Sequence, residues 1–280
     1  MSQDLTVAQA LDQARAREVA MLDARLMLGR LLGRTPTQLI AHDDERLGPE
    51  AAGRWADWLA RRAGGEPLAY LLGEKEFHGL MLEVTPDVLV PRPETELLVD
   101  WAVELLVSRD APAALIDLGT GSGAIALAVK RAHPRAAVTA TDASAAALGV
   151  ARRNARRLAL EVDFLETSWW LGLDGRRFSI AAANPPYIRD GDAALAALRH
   201  EPRTALTPGG DGLAALREIV AGAPAHLAPG GWLLLEHGFD QAAEVRALLG
   251  EAGLEAVETR PDLAGHPRAT GGRRPAAAAR

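Results

Sequence analysis

The sequence predicts an α/β protein in which a mostly parallel sheet carries helices on both faces, preceded by a small helical N-terminal domain and a short β-hairpin. Three observations predict it. Beyond Pro93, short apolar runs alternate with segments of helical periodicity, the pattern of a sheet buried on both sides. At the junction of the first such run with a helical segment stands Gly119-Thr120-Gly121-Ser122-Gly123. Before Pro67 the apolar spacing is helical almost throughout.

Taken in order, Val7, Leu11, Met21, Leu22, Leu26, Met27 and Leu31 recur at helical spacing. Thr35-Pro36 fits an N-cap followed by a first-turn proline, and Pro49 fits the opening of a helix carrying Trp55, Trp58 and Leu59 as core residues. Gly64-Gly65-Glu66-Pro67 then breaks the pattern. Residues 76–92 read as a β-hairpin connector turning around Thr85-Pro86-Asp87. Strands are expected at Ala114–Leu118, Ala137–Thr141, Val162–Leu165, Phe178–Ala183, Trp232–Glu236 and Glu255–Thr259, with helices between them. The resulting boundaries are 1–75 for the helical domain, 76–92 for the connector, 93–270 for the sheet domain and 271–280 for a tail without regular structure.

Length and composition bound the function. With 280 residues, 48% of them hydrophobic, the chain can bury a catalytic domain and a smaller partner domain. A net charge of −6 argues against a general attraction to the nucleic-acid backbone, so no direct sequence-specific nucleic-acid binding is expected. The absence of cysteine excludes disulfides, thiolate zinc sites and a cysteine nucleophile, and no metal site is expected. No signal peptide and no membrane span are visible, so the expected location is cytoplasmic.

The chemistry concentrates in Asn184-Pro185-Pro186-Tyr187, directly after the run Phe178–Ala183. An amide or exocyclic amino nitrogen is a poor nucleophile, because its lone pair is delocalised. The Asn184 side-chain oxygen and the Pro185 carbonyl, fixed by two prolines, suit the two N–H bonds of such a group. Accepting both would turn the lone pair toward a methyl donor, and Tyr187 offers a flat face to a planar group. A diproline turn ending a strand is the plain alternative, but the complete tetrapeptide downstream of a glycine loop favours methyl transfer to a planar nitrogen.

The glycine loop admits a ligand close to the backbone at a helix N-terminus. Asp142, ending the second strand, is placed to accept from ribose hydroxyls. Gly119, Gly121 and Ala124 also satisfy a dinucleotide fingerprint with an acid about 20 residues on, so the loop alone leaves NAD open; the strand ending in Asn-Pro-Pro-Tyr favours a methyl donor. Asp117 either positions the cofactor or caps the loop amides. Of Trp169 and Trp170, one is expected to cover an adenine and the other to be ordinary packing. His237 reads as a structural histidine at a strand end.

With these residues in hand, the chain resembles the class I methyltransferases that use S-adenosylmethionine. Ala69-Tyr70-Leu71-Leu72-Gly73, Glu76-Phe77, Val90-Pro91-Arg92-Pro93-Glu94-Thr95-Glu96 and Leu234-Leu235-Glu236-His237-Gly238 narrow the resemblance to the HemK/PrmC family of peptide chain release factor glutamine methyltransferases, over roughly residues 5 to 270. The resemblance implies a Rossmann-like catalytic domain, a helical substrate-recognition domain, S-adenosylmethionine as cofactor with S-adenosylhomocysteine as product, and release factors as protein substrate. It implies cofactor binding by Gly119, Thr120, Gly121, Ser122, Gly123, Asp142, Trp169 and Asn184, and glutamine binding by Asn184, Pro185, Pro186 and Tyr187, with Asn184, Pro185 and Tyr187 catalytic. Ser168-Trp169-Trp170 replaces the family's usual Asp-Trp-Phe. Pro275 and alanines replace its last aromatic strand residues, so the seventh strand is expected to be short or absent. The rival reading is an adenine N6-methyltransferase acting on DNA or RNA, which poses the same geometric problem and would require base flipping in a duplex.

Overall fold

The computed structural model describes residues 5–107 and 113–276, which fall into two compact units, one ending at Glu74 and the other beginning at Lys75. The first unit holds α1 (Val7–Ala16), α2 (Met21–Leu32), α3 (Pro36–Ala41), α4 (Pro49–Ala63) and α5 (Leu68–Leu72). Capping fixes their starts. Thr6 and Gln9, and again Thr35 and Gln38, exchange side-chain and backbone hydrogen bonds in capping boxes, and Pro36 and Pro49 occupy first-turn positions. Trp55 and Trp58 are buried with Val7, Met27, Leu28 and Leu39, as their helical spacing predicts. The Trp55 indole nitrogen donates to Gln13 at 3.1 Å, so the buried ring leaves no orphaned donor.

A hairpin of β1 (Glu74–Phe77) and β2 (Leu80–Glu83) follows, all of it but Glu74 in the second unit. Its turn corrects the expectation. His78 and Gly79, with φ of 48° and 75°, make the two-residue connection, and Thr85-Pro86-Asp87 lies beyond the second strand. Residues 76–92 all fall in the second unit.

A 3₁₀ turn at Pro93–Thr95 leads into α6 (Glu96–Val107). There follow β3 (Ala114–Leu118), α7 (Ala124–Ala132), β4 (Ala137–Asp142), α8 (Ala145–Leu158), β5 (Asp163–Glu166) and β6 (Phe178–Ala183). The short α9 (Ala194–Ala197) and α10 (Arg203–Leu206) precede α11 (Ala214–His226), β7 (Leu227–Glu236), α12 (Ala242–Glu251), β8 (Glu255–Pro261) and β9 (Pro267–Arg273). The sheet order is β5-β4-β3-β6-β7-β9-β8. All neighbouring pairs are parallel except those of β9 with β7 and β8, which are antiparallel.

Alternation along the central strands builds two cores. Leu115, Ala140, Ile180, Ala182 and Leu234 join one buried cluster with α6 and α7, whereas Ile116, Leu118, Ala181, Ala183, Leu233 and Leu235 join the other with α11 and α12. Successive strand residues point to opposite faces, so nearly continuous apolar strands require cover on both sides.

The expected loss of the last strand is overturned. β9 runs over seven residues and pairs on both edges, so Gly271–Arg273 are strand and not tail. The small residues there answer a packing demand: a Cβ on Gly271 would come within 2.8 Å of both the Trp101 ring and the Leu234 side chain. Residues 277–280 of the expected tail lie outside the described residues.

Candidate active site

β3 leads toward β4 and β5 on one side of the sheet, and β6 toward β7 on the other, so the strand order reverses between β3 and β6. In open α/β sheets ligands bind outside the carboxyl ends of the strands at such a point. A cavity of about 530 Å³ lies there, lined by Gly119–Ser122 after β3, Asp142–Ser144 at the end of β4, Thr167–Trp169, and Asn184 and Pro186 after β6. Its size is that of a site for a cofactor-sized molecule.

The glycine loop is hydrogen-bonded into shape. Gly119 and Thr120 both donate to the Thr141 carbonyl, at 2.9 and 2.8 Å. Gly121 has a φ of 56° and open space where a Cβ would project, so its backbone is exposed to a ligand without steric cost. Its N–H donates to Asp142 Oδ2 at 2.9 Å, and Ser144 N–H donates to Oδ1 at 2.8 Å. Each Asp142 oxygen keeps lone-pair capacity for a further donor from the cavity. Burial raises its pKa, opposed by those two backbone donors.

Asp117 ties the loop to the helix behind it. Its Oδ2 accepts from Thr120 Oγ1 at 2.5 Å and from Ala126 N–H at 3.2 Å. Burial pushes this carboxyl up to about 7. It is thus bound to a threonine hydroxyl and a helix amide, not to the glycine amides, and it does not line the cavity.

The two tryptophans part. Trp169 lines the cavity, and its ring lies 3.1 Å from where a Gly119 Cβ would sit. Trp170 is buried in the second core, donates its indole N–H to Ile219 O at 2.8 Å and stacks on His226.

Within the tetrapeptide, Asn184 and Pro186 reach the cavity wall, while Pro185 is buried and Tyr187 packs against the core. Neither Pro185 nor the Tyr187 ring is among the residues lining this cavity. The Tyr187 hydroxyl donates to Glu236 Oε1 at 3.1 Å, and the Tyr187 carbonyl accepts from Gln241 Nε2 at 3.0 Å. Asn184 Nδ2 donates to Thr95 Oγ1 at 3.0 Å, and Thr95 Oγ1 donates to Glu236 Oε2 at 2.7 Å. His237 is structural, as its position suggests: Nδ1 faces the Gly238 carbonyl at 2.8 Å and Nε2 faces Thr270 Oγ1 at 2.7 Å, and burial lowers its pKa.

Sequence reasoning missed Thr95, Glu236 and Glu201. Glu201, buried, accepts from Val90 N–H at 3.0 Å and from the Arg92 guanidinium, fastening the segment before the 3₁₀ turn beside the cavity. Pro86 to Leu89 and Pro91 of that segment are lining residues. A signal for Glu236 existed: it is a carboxylate that continues the apolar run Leu233-Leu234-Leu235.

The reversed strand β9 departs from the all-parallel dinucleotide-binding arrangement; with the tetrapeptide at the end of β6, fold and site define a methyltransferase. Residues 6–73 match the family model described as PrmC N-terminal domain, and residues 95–243 match the one described as methyltransferase small domain. A release factor glutamine methyltransferase of Burkholderia pseudomallei is 52% identical over 277 residues, covering 96% of this chain and 97% of that protein. Another, of Pseudomonas aeruginosa, is 48% identical, covering 90% and 91%. The chain belongs to the release factor glutamine methyltransferase family. A solved methyltransferase from Pyrococcus furiosus superposes with a TM-score of 0.54 over 79% of this chain and 99% of its own, and at 18% identity it shares the fold.

Proposed function

We propose that the chain transfers a methyl group from S-adenosylmethionine to the side-chain amide nitrogen of the glutamine in the Gly-Gly-Gln motif of peptide chain release factors. The carrying observation is Asn184: its amide lines the cavity at the switch point, with its nitrogen already committed to Thr95. That leaves Oδ1 as the acceptor available to a substrate N–H. The Pro185 carbonyl, which takes no hydrogen bond from the described residues, is the second acceptor.

The cavity residues fit the cofactor. The open Gly121 backbone, the spare lone pairs of Asp142 and the flat Trp169 ring suit an amino-acid end, a ribose and an adenine respectively. When bound, the cofactor supplies an electrophilic methyl group. The chain's task is then to hold the planar amide by both hydrogens so that its lone pair faces that methyl. No strong base is needed, because the methylated nitrogen is acidic and loses its proton to water; both His237 nitrogens are accordingly committed elsewhere. Recognition of the release factor is assigned to the helical N-terminal unit, in line with its family match. A cytoplasmic location agrees with this substrate.

The test is incubation with labelled S-adenosylmethionine and a release factor, in parallel with adenine-containing DNA and RNA, with mass spectrometry locating the methyl group. Methylation of the release-factor glutamine is expected. Methyl transfer to adenine alone would replace this reading with the rival one. In the same assay Asn184→Ala should lower kcat by roughly 10²-fold or more, by analogy with losing one oxyanion-hole donor.

A further inference from the structure

We propose that Glu236 is a positioning residue that, through the Thr95 hydroxyl, fixes which end of the Asn184 amide faces the cavity. The inference rests on the reading of Asn184 as the amide-holding acceptor. Three elements meet here: Asn184 follows β6, Thr95 ends the 3₁₀ turn and Glu236 ends β7. Thr95 and Glu236 are 4% and 2% exposed, so water does not compete for their hydrogen bonds.

Donor counting sets the direction. An ionised carboxylate only accepts, so the one proton of the Thr95 hydroxyl goes to Glu236 Oε2 at 2.7 Å. The Thr95 oxygen is then left as an acceptor, and what reaches it at 3.0 Å from Asn184 must be an N–H. An amide that turns its nitrogen to Thr95 turns its oxygen the other way. Were Glu236 absent, the threonine proton could point at Asn184 instead and favour the flipped amide, which presents N–H groups to an N–H substrate. The second carboxylate oxygen takes the Tyr187 hydroxyl, so one buried carboxylate braces both ends of the tetrapeptide. A carboxylate at this depth is costly to bury, and an apolar side chain would pack there at lower cost; its burial raises its pKa. The cost is offset by orienting a group that must not flip.

The experiment compares Thr95→Val, Thr95→Ser and Asn184→Ala, singly and Thr95→Val with Asn184→Ala, in steady-state kinetics with a release factor, with cofactor affinity by calorimetry and folding by thermal melting. Thr95→Val should lower kcat by roughly 10-fold, the order seen when a group orienting a ligand is lost, with cofactor affinity unchanged. Thr95→Ser, which restores the hydroxyl, should recover most of that loss. In the Asn184→Ala background Thr95→Val should cost nothing further, because there is no amide left to orient. An equal further loss in that background, a parallel loss of cofactor affinity, or a wild-type kcat for Thr95→Val would each overturn the proposal while leaving the Asn184 role intact. A near-normal Asn184→Ala would instead remove the reading of the site on which it rests.

Discussion

Trp169 and Trp170 are adjacent in the chain and turn opposite ways: the first lies over Gly119 at the cavity, and the second stacks on His226 with ring centroids 4.9 Å apart and planes within 4°. Trp169 has a left-handed backbone with a φ of 45°, and its half-buried ring packs against the edge of the core in which Trp170 is buried. Their substitutions should therefore separate. Trp170→Ala should cost about 3–5 kcal/mol of stability. Trp169→Ala, at the half-buried edge of that core, should cost less stability than Trp170→Ala but weaken cofactor binding by about 1–3 kcal/mol, as for loss of an aromatic face under a base. Calorimetry and thermal melting read the two effects, and a reversed pattern would reassign the adenine face to Trp170.

Asp142→Ala should raise the cofactor KM and leave kcat at saturation far less changed, because ribose contacts are alike in ground and transition states. The structure adds a second cost: the Gly121 and Ser144 N–H groups both lose their acceptor. A drop in affinity of about 1.5–3 kcal/mol is expected from loss of charged hydrogen bonds. A mutant with normal affinity and a collapsed kcat would show that Asp142 serves the chemical step instead.

The strands and helices of the sheet domain were legible because a sheet buried on both faces writes nearly continuous apolar runs, such as Phe178–Ala183 with its single serine, between amphipathic helices. β9 was not, since Ala269-Thr270-Gly271-Gly272 has neither bulk nor alternation; the volume beside it is filled by Trp101, Leu234 and Leu254 from other elements. In the site, Gly119–Gly123, Asp142 and Asn184 were named from motif and position and Trp169 from the resemblance, and all but Gly123 line the cavity. Glu236 left a local trace as a carboxylate ending an apolar run, but its pairing with Thr95 is a contact across 141 residues that no local pattern encodes. For Tyr187 the sequence suggested a ring face only; that its hydroxyl and carbonyl are anchored to Glu236 and Gln241 comes from contacts across 49 and 54 residues.

Two truncations test the corrected C-terminus. Ending the chain at Arg274 keeps β9 and the Arg274 bonds to Gly230 and Gly231, so the melting temperature should be preserved. Ending it at Gly265 removes the strand between β7 and β8, leaving unpaired edges and buried apolar residues uncovered. That variant should be largely unfolded or aggregated. Equal stability of the two would show that β9 contributes nothing to the fold.

The buried carboxyls set stability and activity against each other with pH. Burial pushes Glu236 from its ordinary 4.5 up to about 7, opposed by the Thr95 and Tyr187 hydroxyls and by Arg268 on β9, and reinforced by Glu94 in the 3₁₀ turn; burial also lowers the pKa of neighbouring His237. A carboxyl whose folded pKa is raised contributes stability that is full below its unfolded pKa and lost as pH rises through the folded one. Asp117, also pushed up to about 7, acts in the same direction. Thermal stability should therefore fall between about pH 5 and pH 8, and Glu236→Gln should remove part of that slope, on the order of 3 kcal/mol at most. Turnover should run the other way. Only the ionised carboxylate accepts from both hydroxyls, so kcat should decline as pH falls below about 7, as Thr95 loses its fixed acceptor. Glu236→Gln, with one acceptor and one donor group, should show a lower kcat that no longer declines on this limb. An unchanged limb in Glu236→Gln would assign the titration to another group, Asp117 foremost.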